Sequence, residues 1–329
     1  MTWRPRLGFL GVGWIGRHRM QAILEAGVAE VAAIADPSPK MAAEAMRLVP
    51  EARQAATLED LLALGLDGVV IATPSAMHAG QSIQALQAGA AVFCQKPLGR
   101  SAPEVRQVVQ AARAAGRLLE VDLSYRATTG MRQIRDLVRA GALGRVYAAD
   151  LVFHNAYGPD KAWFYDAAQS GGGCVMDLGV HLVDLALWTL DFPGATVVSS
   201  RLFAKGQPLA AGAAQVEDYA VAMLTLETGA VVQIACSWRL PLGRDAMISA
   251  AFHGTEGGAA LRNVAGSFYD FTAERYRGTA CETLTLPPDA WGGRAAAEWA
   301  TRLAAGQGYD PAAERVTEVA ALLDQIYGR

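Results

Sequence analysis

The sequence predicts two domains: an α/β domain with a doubly wound parallel sheet over residues 1–122, and an α+β domain with a largely antiparallel, open sheet over residues 123–329. Three observations carry this. Short, wholly apolar strand segments alternate with helical stretches through the first part of the chain, as strands covered on both faces by helices must. A glycine-rich turn, Gly11-Val12-Gly13-Trp14-Ile15-Gly16, joins the first strand to the first helix. Beyond Asp122 the segments lengthen, alternate in polarity and connect by hairpin turns.

Taken in order, residues 7–10 form the first strand and residues 14–26 the first helix, closed by Gly27. Gly11 permits the tight turn, Gly13 leaves the backbone open to a pyrophosphate, and Gly16 lets helix and strand pack closely. The free N–H groups and positive dipole end of the helix, at Trp14 and Ile15, then face an anion. A second strand over 30–35 ends at Asp36, twenty residues after Gly16. A carboxylate there accepts hydrogen bonds from a ribose and repels a 2′-phosphate, which favours NAD over NADP. Glycines, strand, helix and acid in this register are the fingerprint of a Rossmann domain.

A helix follows over 39–48, and Thr57 caps another over 58–64, with Glu59 and Asp60 suiting its dipole. The apolar strand 68–72 ends in Thr73-Pro74-Ser75, and His78 opens the next helix. The strand 90–93 ends in Cys94-Gln95-Lys96-Pro97. Ser101-Ala102-Pro103-Glu104 starts a helix with a cap, an early proline and an acid, and residues 117–121 form a further strand. Ligands of open parallel sheets lie beyond the carboxyl ends of the strands. The glycine turn, Asp36, Thr73-Pro74 and Gln95-Lys96 all fall there, which places the Lys96 ammonium at the nicotinamide end of a bound dinucleotide.

In the second domain a helix over 128–140 ends in Gly141-Ala142-Leu143-Gly144. Alternating strands are expected over 145–154, 196–204, 218–226, 230–238 and 246–253, with a hairpin turn at Glu227-Thr228-Gly229. The chain ends in helices over 294–305 and 311–327. There is no internal repeat and no low-complexity linker.

Composition narrows the function classes. Of 329 residues 52% are hydrophobic, enough for two buried cores, and the net charge of -3 points to neither nucleic acid nor an anionic membrane. No apolar stretch reaches the ~18 residues of a spanning helix. Arg4 and Arg6 before an apolar run mimic a leader peptide, but His18-Arg19 follow without a cleavage site, so a cytoplasmic protein is expected. Cys94, Cys174, Cys236 and Cys281 fit no zinc spacing and are expected as buried thiols. His154, Asp177 and His181 lack the spacing of a metal set, so no metal is expected.

The most informative later stretch runs from Ser170 through Gly171-Gly172-Gly173 to Asp184. Three glycines release the chain into a helix that reaches about residue 190 and is apolar all round except for a stripe of Asp177, His181, Asp184 and Trp188. Buried polar groups need partners or a ligand. A carboxylate one turn from an imidazole stabilises the imidazolium, which suits removal of a hydroxyl proton. Equally, Asp177 suits a helix cap and His181 a satisfied core histidine.

These stretches, with Lys96-Pro97 and with Tyr125-Arg126 before a helix that ends in Gly-x-x-Gly, resemble the Gfo/Idh/MocA oxidoreductases over nearly the whole chain. The resemblance implies an N-terminal Rossmann domain and a C-terminal α/β domain whose open sheet serves oligomer contacts, hence a homodimer or homotetramer. It implies that Lys96, Asp177 and His181 form the catalytic set of a sugar- or inositol-type dehydrogenase acting on a small-molecule polyol with NAD, NADP remaining possible. Gly11, Gly13, Trp14, Ile15, Gly16, Asp36, Thr73, Pro74, His78, Gln95 and Lys96 then line the cofactor. Position 95 departs from the family, which usually has Glu there, near the nicotinamide ribose. On the substrate side the resemblance points to Tyr125, Arg126, His154, Tyr157 and Trp163. Arg126 fits either a substrate oxygen or an interdomain ion pair, and His154, Tyr157 and Trp163 equally fit a strand end and packed aromatics. Trp291 suits a core role better than closure of the pocket, and His18 and His253 have no evident partner. Two other classes share these motifs: a dinucleotide-binding sensor without chemistry, and an NAD-assisted glycosidase. Within the oxidoreductases, NADPH-linked reduction of a carbonyl or imine is a third possibility.

Overall fold

The computed structural model describes residues 3–210, 213 and 215–329. Packing divides the chain into two units, one of residues up to Ser124 with Gly292–Thr317, the other of Tyr125–Trp291 with Glu318–Arg329. In the first, six parallel strands, β1 (Arg6–Leu10), β2 (Glu30–Ala35), β3 (Arg53–Ala55), β4 (Gly68–Ile71), β5 (Ala91–Cys94) and β6 (Leu119–Val121), lie in the order β3-β2-β1-β4-β5-β6. Every residue of β4 and β5 is buried, which is why these strands read as unbroken apolar runs. The order reverses between β1 and β4, the switch point where such sheets bind ligands. β3 has three residues, Arg-Gln-Ala, none buried, so no apolar pattern announced it.

Helices α1 (Trp14–Ala26), α2 (Pro39–Met46), α3 (Leu58–Leu62), α4 (Ser75–Gln87) and α5 (Ala102–Ala115) connect these strands and cover the sheet. Their ends follow local chemistry. Gly27 closes α1 with φ 67°, donating to Ile23 and Leu24 carbonyls. Thr57 and Asp60 form a reciprocal capping box on α3, and Ser101 accepts from Glu104 N at the start of α5.

The second unit holds α6 (Thr129–Arg139), α7 (Ala167–Ser170) and α8 (Val180–Thr189). Its strands are β7 (Val146–Asn155), β8 (Ala195–Ala204), β9 (Gln207–Pro208), β10 (Tyr219–Leu226), β11 (Val231–Ser237), β12 (Ala246–Gly254), β13 (Gly258–Asn263), β14 (Phe271–Arg277) and β15 (Ala280–Thr285). They form one sheet in the order β15-β14-β13-β12-β7-β11-β10-β8-β9, antiparallel except for the parallel pair β7–β11. Strict alternation sorts the faces. On β10, Ala220, Ala222, Leu224 and Leu226 are buried, while Val221 and Met223 point the other way and are exposed. Glu227-Thr228-Gly229 is the expected hairpin turn, with Gly229 at φ 82°.

The C-terminal segment corrects the expected boundaries. Helix α9 (Arg294–Ala304) belongs with the first unit, not with a second domain running to residue 329. It packs on α1 and β5, where Trp299 is fully buried beside Phe93, ring centroids 5.7 Å apart. A helix with such a face has to follow the sheet that buries it. Helix α10 (Arg315–Tyr327) then rejoins the second unit, where Gln325 accepts from Val197 N and Ile326 O from the Ser200 hydroxyl. Cys94, Cys174 and Cys236 are buried, but Cys281, on the edge strand β15, is exposed. Among the described residues no helix is long and apolar enough to cross a membrane.

Trp299→Ala is expected to destabilise the first unit by about 3–5 kcal/mol through the cavity it leaves. Trp299→Phe should cost far less, because the indole N–H it removes has no partner among the described residues. Denaturant unfolding of the two variants checks both.

Candidate active site

The glycine turn is built from backbone contacts that side chains would forbid. Gly11 adopts φ +82°, and a Cβ on Gly16 would stand 2.2 Å from Gly11 O. Gly13 is the N-cap of α1, no side chain caps that helix, and a Cβ there would meet nothing within 4 Å. Trp14 is exposed and stacks on His18, centroids 5.6 Å apart, while Ile15 is half-buried. Asp36 Oδ2 accepts from Val12 N at 2.7 Å and Oδ1 from Ser38 N at 2.8 Å, which pins the carboxylate beside the turn. Each oxygen retains a lone pair for a ribose hydroxyl. An uncapped helix start, open space at its cap and a fixed carboxylate fit a dinucleotide.

At the carboxyl ends of β4 and β5, Thr73 donates to Gln81 Oε1 at 2.6 Å and Pro74 is the N-cap of α4. His78 is 1% exposed, with ring nitrogens 2.7 Å from Pro97 O and 2.7 Å from Thr73 O. Each ring nitrogen faces a carbonyl, and a neutral imidazole donates to one of them, so His78 bridges the two loops. Burial holds its pKa below the ordinary histidine value, and Lys96 adds to the fall, against the two carbonyls, which favour the charged form. Gln95 N donates to Ile71 O at 2.9 Å, and the Gln95 amide donates to Asp122. Arg19 Nε meets the same Asp122 oxygen at 2.6 Å. Arg19 and Asp122 escaped the sequence reading, because nothing local links residues 103 positions apart.

In the second unit the glycine run is shaped by Glu217, also missed from sequence. Its buried carboxylate accepts from Gly173 N at 3.0 Å, from Val175 N at 2.9 Å and from the Tyr327 hydroxyl at 2.8 Å. A Cβ on Gly173 would lie 1.9 Å from Glu217 O, so position 173 admits only glycine. Burial raises the Glu217 pKa in spite of these hydrogen bonds. Glu217, not Asp177, thus satisfies the N–H groups where the helix begins. Residues Val175–Gly179 form a π-helical turn before α8, Val180 N bonding Val175 O five residues back.

Within that turn Asp177 is half-buried, and Trp238 Nε1 donates to its Oδ2 at 3.0 Å. His181 is 6% exposed and meets the Tyr125 ring edge-on, centroids 4.9 Å apart. Tyr125 also packs against Phe153, Phe271 and Trp291, and burial pushes its pKa up. Trp291 is a core residue whose indole donates to Tyr269 O. The structure thus brings Tyr125 and His181 together and gives Asp177 a tryptophan partner. The lower half of the stripe serves another end. Asp184, 1% exposed, forms a two-pronged pair with Arg126, whose guanidinium also lies 5.9 Å from the Trp188 ring. Burial raises the Asp184 pKa even so. Arg126 and Asp184 both belong to the second unit, so this ion pair is not an interdomain one.

His154 is placed apart from this set. Phe153 faces His181, centroids 6.4 Å apart, so its neighbour His154 projects from the opposite face of the sheet. There His154 Nδ1 lies 2.8 Å from Ser237 Oγ and its ring stacks on Tyr219, beside a 510 Å³ cavity lined by Phe203, Tyr219 and Ser237. Tyr157 is exposed near Phe268, and Trp163 stacks on Phe164 in a short 3₁₀ turn. His253 lies 3.3 Å from Asp150, and His18 bonds Arg19, so both have the partners that sequence did not show.

A Rossmann unit with an anion-ready turn, followed by a mixed-sheet unit carrying a buried imidazole, defines an NAD(P)-dependent oxidoreductase. Comparison with known proteins agrees. The oxidoreductase family with an NAD-binding Rossmann fold matches residues 6–123, and the GFO/IDH/MocA C-terminal domain matches residues 131–260. The chain belongs to the Gfo/Idh/MocA family and is a dehydrogenase or reductase acting on CH–OH groups. The rhizopine catabolism protein MocA of Rhizobium meliloti is 31% identical over 79% of this chain and 78% of its own length. D-glucoside 3-dehydrogenase of Escherichia coli (strain K12) is 28% identical, over 69% of this chain and 65% of its own length, so the chain spans just under two thirds of that relative. Of solved structures, GenD2 from gentamicin A biosynthesis, in complex with NAD, superposes with a TM-score of 0.82 at 25% identity, covering 100% of this chain and 94% of that one. Levoglucosan dehydrogenase with NADH and levoglucosan shares the fold, with a TM-score of 0.85 at 22% identity over 98% of this chain and 96% of that one.

The raised pKa of Glu217 sets a pH dependence. The folded chain holds that proton to higher pH than the unfolded chain, so stability falls as pH rises from the ordinary glutamate value through the raised one. Glu217→Gln keeps an acceptor for Gly173 and Val175, and should flatten this fall in melting temperature measured across pH.

Proposed function

We propose that this protein transfers a hydride between NAD and a secondary hydroxyl or carbonyl of a sugar, inositol or related polyol. One observation supports the reading above all. On a helix that is apolar but for one stripe, Asp177 is held as an acceptor by Trp238 and His181 is fixed against Tyr125. Two polar groups maintained on a buried helix suit proton transfer better than packing. The names of the relatives, a D-glucoside 3-dehydrogenase, a 1,5-anhydro-D-fructose reductase and inositol 2-dehydrogenases, support the substrate class.

In this reading a bound nicotinamide supplies the hydride acceptor. His181 takes the hydroxyl proton on a ring nitrogen, and Asp177 stabilises the resulting imidazolium. Lys96 sets its ammonium against the same oxygen and offsets the negative charge that develops there. Asp36 selects NAD, because a 2′-phosphate would meet a carboxylate already pinned by two backbone N–H groups. Exposed Val221, Met223 and Met247 on the open face of the second sheet support assembly as a homodimer or homotetramer.

A screen of sugars, inositols and sugar acids with NAD and NADP side by side, read by reduction of the nicotinamide, tests the reading. A sensor would reduce no cofactor, and an NAD-assisted glycosidase would return it unchanged while releasing a glycone. Lys96→Ala and His181→Ala should each lower kcat by roughly two to four orders of magnitude. NADH affinity should stay near wild type, and undiminished turnover in either variant would refute its assigned role. Asp36→Ser should gain NADPH use.

A further inference from the structure

The first unit buries a charged network that the proposed chemistry does not use. Asp122 ends β6 and is 1% exposed, and Arg19, on α1, is 6% exposed. Arg19 Nε donates to Asp122 Oδ2 at 2.6 Å, and Gln95 Nε2 donates to that same oxygen, while Asp122 Oδ1 has no partner among the described residues. An ionised carboxylate only accepts hydrogen bonds. The Gln95 amide must therefore turn its NH₂ toward Asp122, which turns its carbonyl oxygen away. Without Asp122 the amide would present donor or acceptor with little preference. Gln95 immediately precedes Lys96, at the end of the parallel sheet where ligands bind.

We propose that Asp122 is a positioning residue that fixes the Gln95 amide, so that an acceptor rather than a donor is presented to the hydroxyl-bearing, nicotinamide end of the dinucleotide beside Lys96. Arg19 makes this tolerable by neutralising a carboxylate that would otherwise be buried alone. The inference rests on the nicotinamide cofactor and not on the polyol substrate. The charged and titratable groups around the network are Arg19 and His18 on α1, Cys94 on β5 and Lys96 in the following loop. Burial pushes the Cys94 thiol up to about 12, with Asp122 adding to the shift, and burial with the neighbouring Arg19 lowers His18.

The test moves the carboxylate. Gln95→Glu sets two carboxylates on one hydrogen bond, so the pair works only while it shares a proton. NADH affinity, titrated by fluorescence, should fall about tenfold or more above neutrality and recover toward acid pH, a dependence absent from wild type. In Gln95→Glu/Asp122→Asn one of the two carboxylates is gone, so no proton has to be shared, and the remaining carboxylate keeps Arg19 as its counter-charge. Affinity should return to within about threefold of wild type and lose the pH dependence. Asp122→Asn alone keeps an oxygen facing both Arg19 and the Gln95 amide and should leave NADH affinity within about threefold of wild type, whereas Asp122→Leu removes that acceptor and should weaken NADH binding at all pH values. NADH binding by Gln95→Glu like that of wild type, or a double variant no better than Gln95→Glu, would overturn the proposal. So would variants whose melting temperature falls while NADH affinity does not move, since that pattern belongs to a pair that only holds the fold. These readouts need no polyol, so failure to find a substrate leaves them decisive.

Discussion

The position of Lys96 depends on what holds its two neighbours. On one side the buried ring of His78 stands between Pro97 O and Thr73 O, 2.7 Å from each, and when neutral donates to one of them. On the other side the Gln95 backbone is laddered to β4 and its side chain to Asp122. One imidazole and one carboxylate thereby join the ends of β4, β5 and β6 with a lysine at their centre. The cost of desolvating these groups is met by hydrogen bonds, each worth about 1.5–3 kcal/mol where an ion takes part. Leaving any one unmade would cost a similar amount, so the loops move together or not at all.

The second unit solves the corresponding problem with Glu217. A buried helix exposes no N-terminal N–H to water, and here no serine or threonine caps it. A carboxylate from the approach to β10 accepts from Gly173 and Val175, and Tyr327 from α10 completes its shell. The three-glycine run is thus the counterpart of an incoming acid. The same helix uses Asp184 with Arg126 for anchorage, while nearer its start Asp177 meets Trp238 and His181 meets Tyr125. A stripe that looks uniform by spacing is divided by what stands opposite each residue.

Much of this was legible before any coordinates. The glycine turn, Asp36, the Gly27 stop and the Thr57 and Ser101 caps are local devices, each written within a few residues. Apolar runs separated by helices announce β1, β2, β4, β5 and β6, and in that sheet only β3, with no buried residue, left no trace. What was illegible is non-local. Arg19 finds Asp122, and Glu217 finds Gly173, through folding alone. The return of α9 to the first unit is decided by where Trp299 finds a partner, and amphipathicity does not name the sheet that buries a helix. Strands β13 to β15 were missed because the first is rich in small residues and the last is exposed, so neither shows the alternation of a half-buried strand.

His154 shows a signal that was present and went unread. Strand alternation forbids Phe153 and His154 from serving the same face, so once Phe153 packs toward His181 a place beside His181 is closed to His154. The same rule admits Trp238. It lies two residues beyond Cys236, whose sulfur stands 3.8 Å from that of Cys174 on the helix side. Parity therefore carries Trp238 to the helix, where its indole meets Asp177, while Ser237 between them turns outward to His154. The π-helical turn completes the arrangement. Widening one turn around Asp177 interrupts the regular i→i−4 ladder, a local irregularity that recurs where helices carry function. Asp177 is the one residue of that turn that is not buried. The irregularity and the half-buried carboxylate coincide at one residue, on a helix that packing alone would have kept regular and apolar.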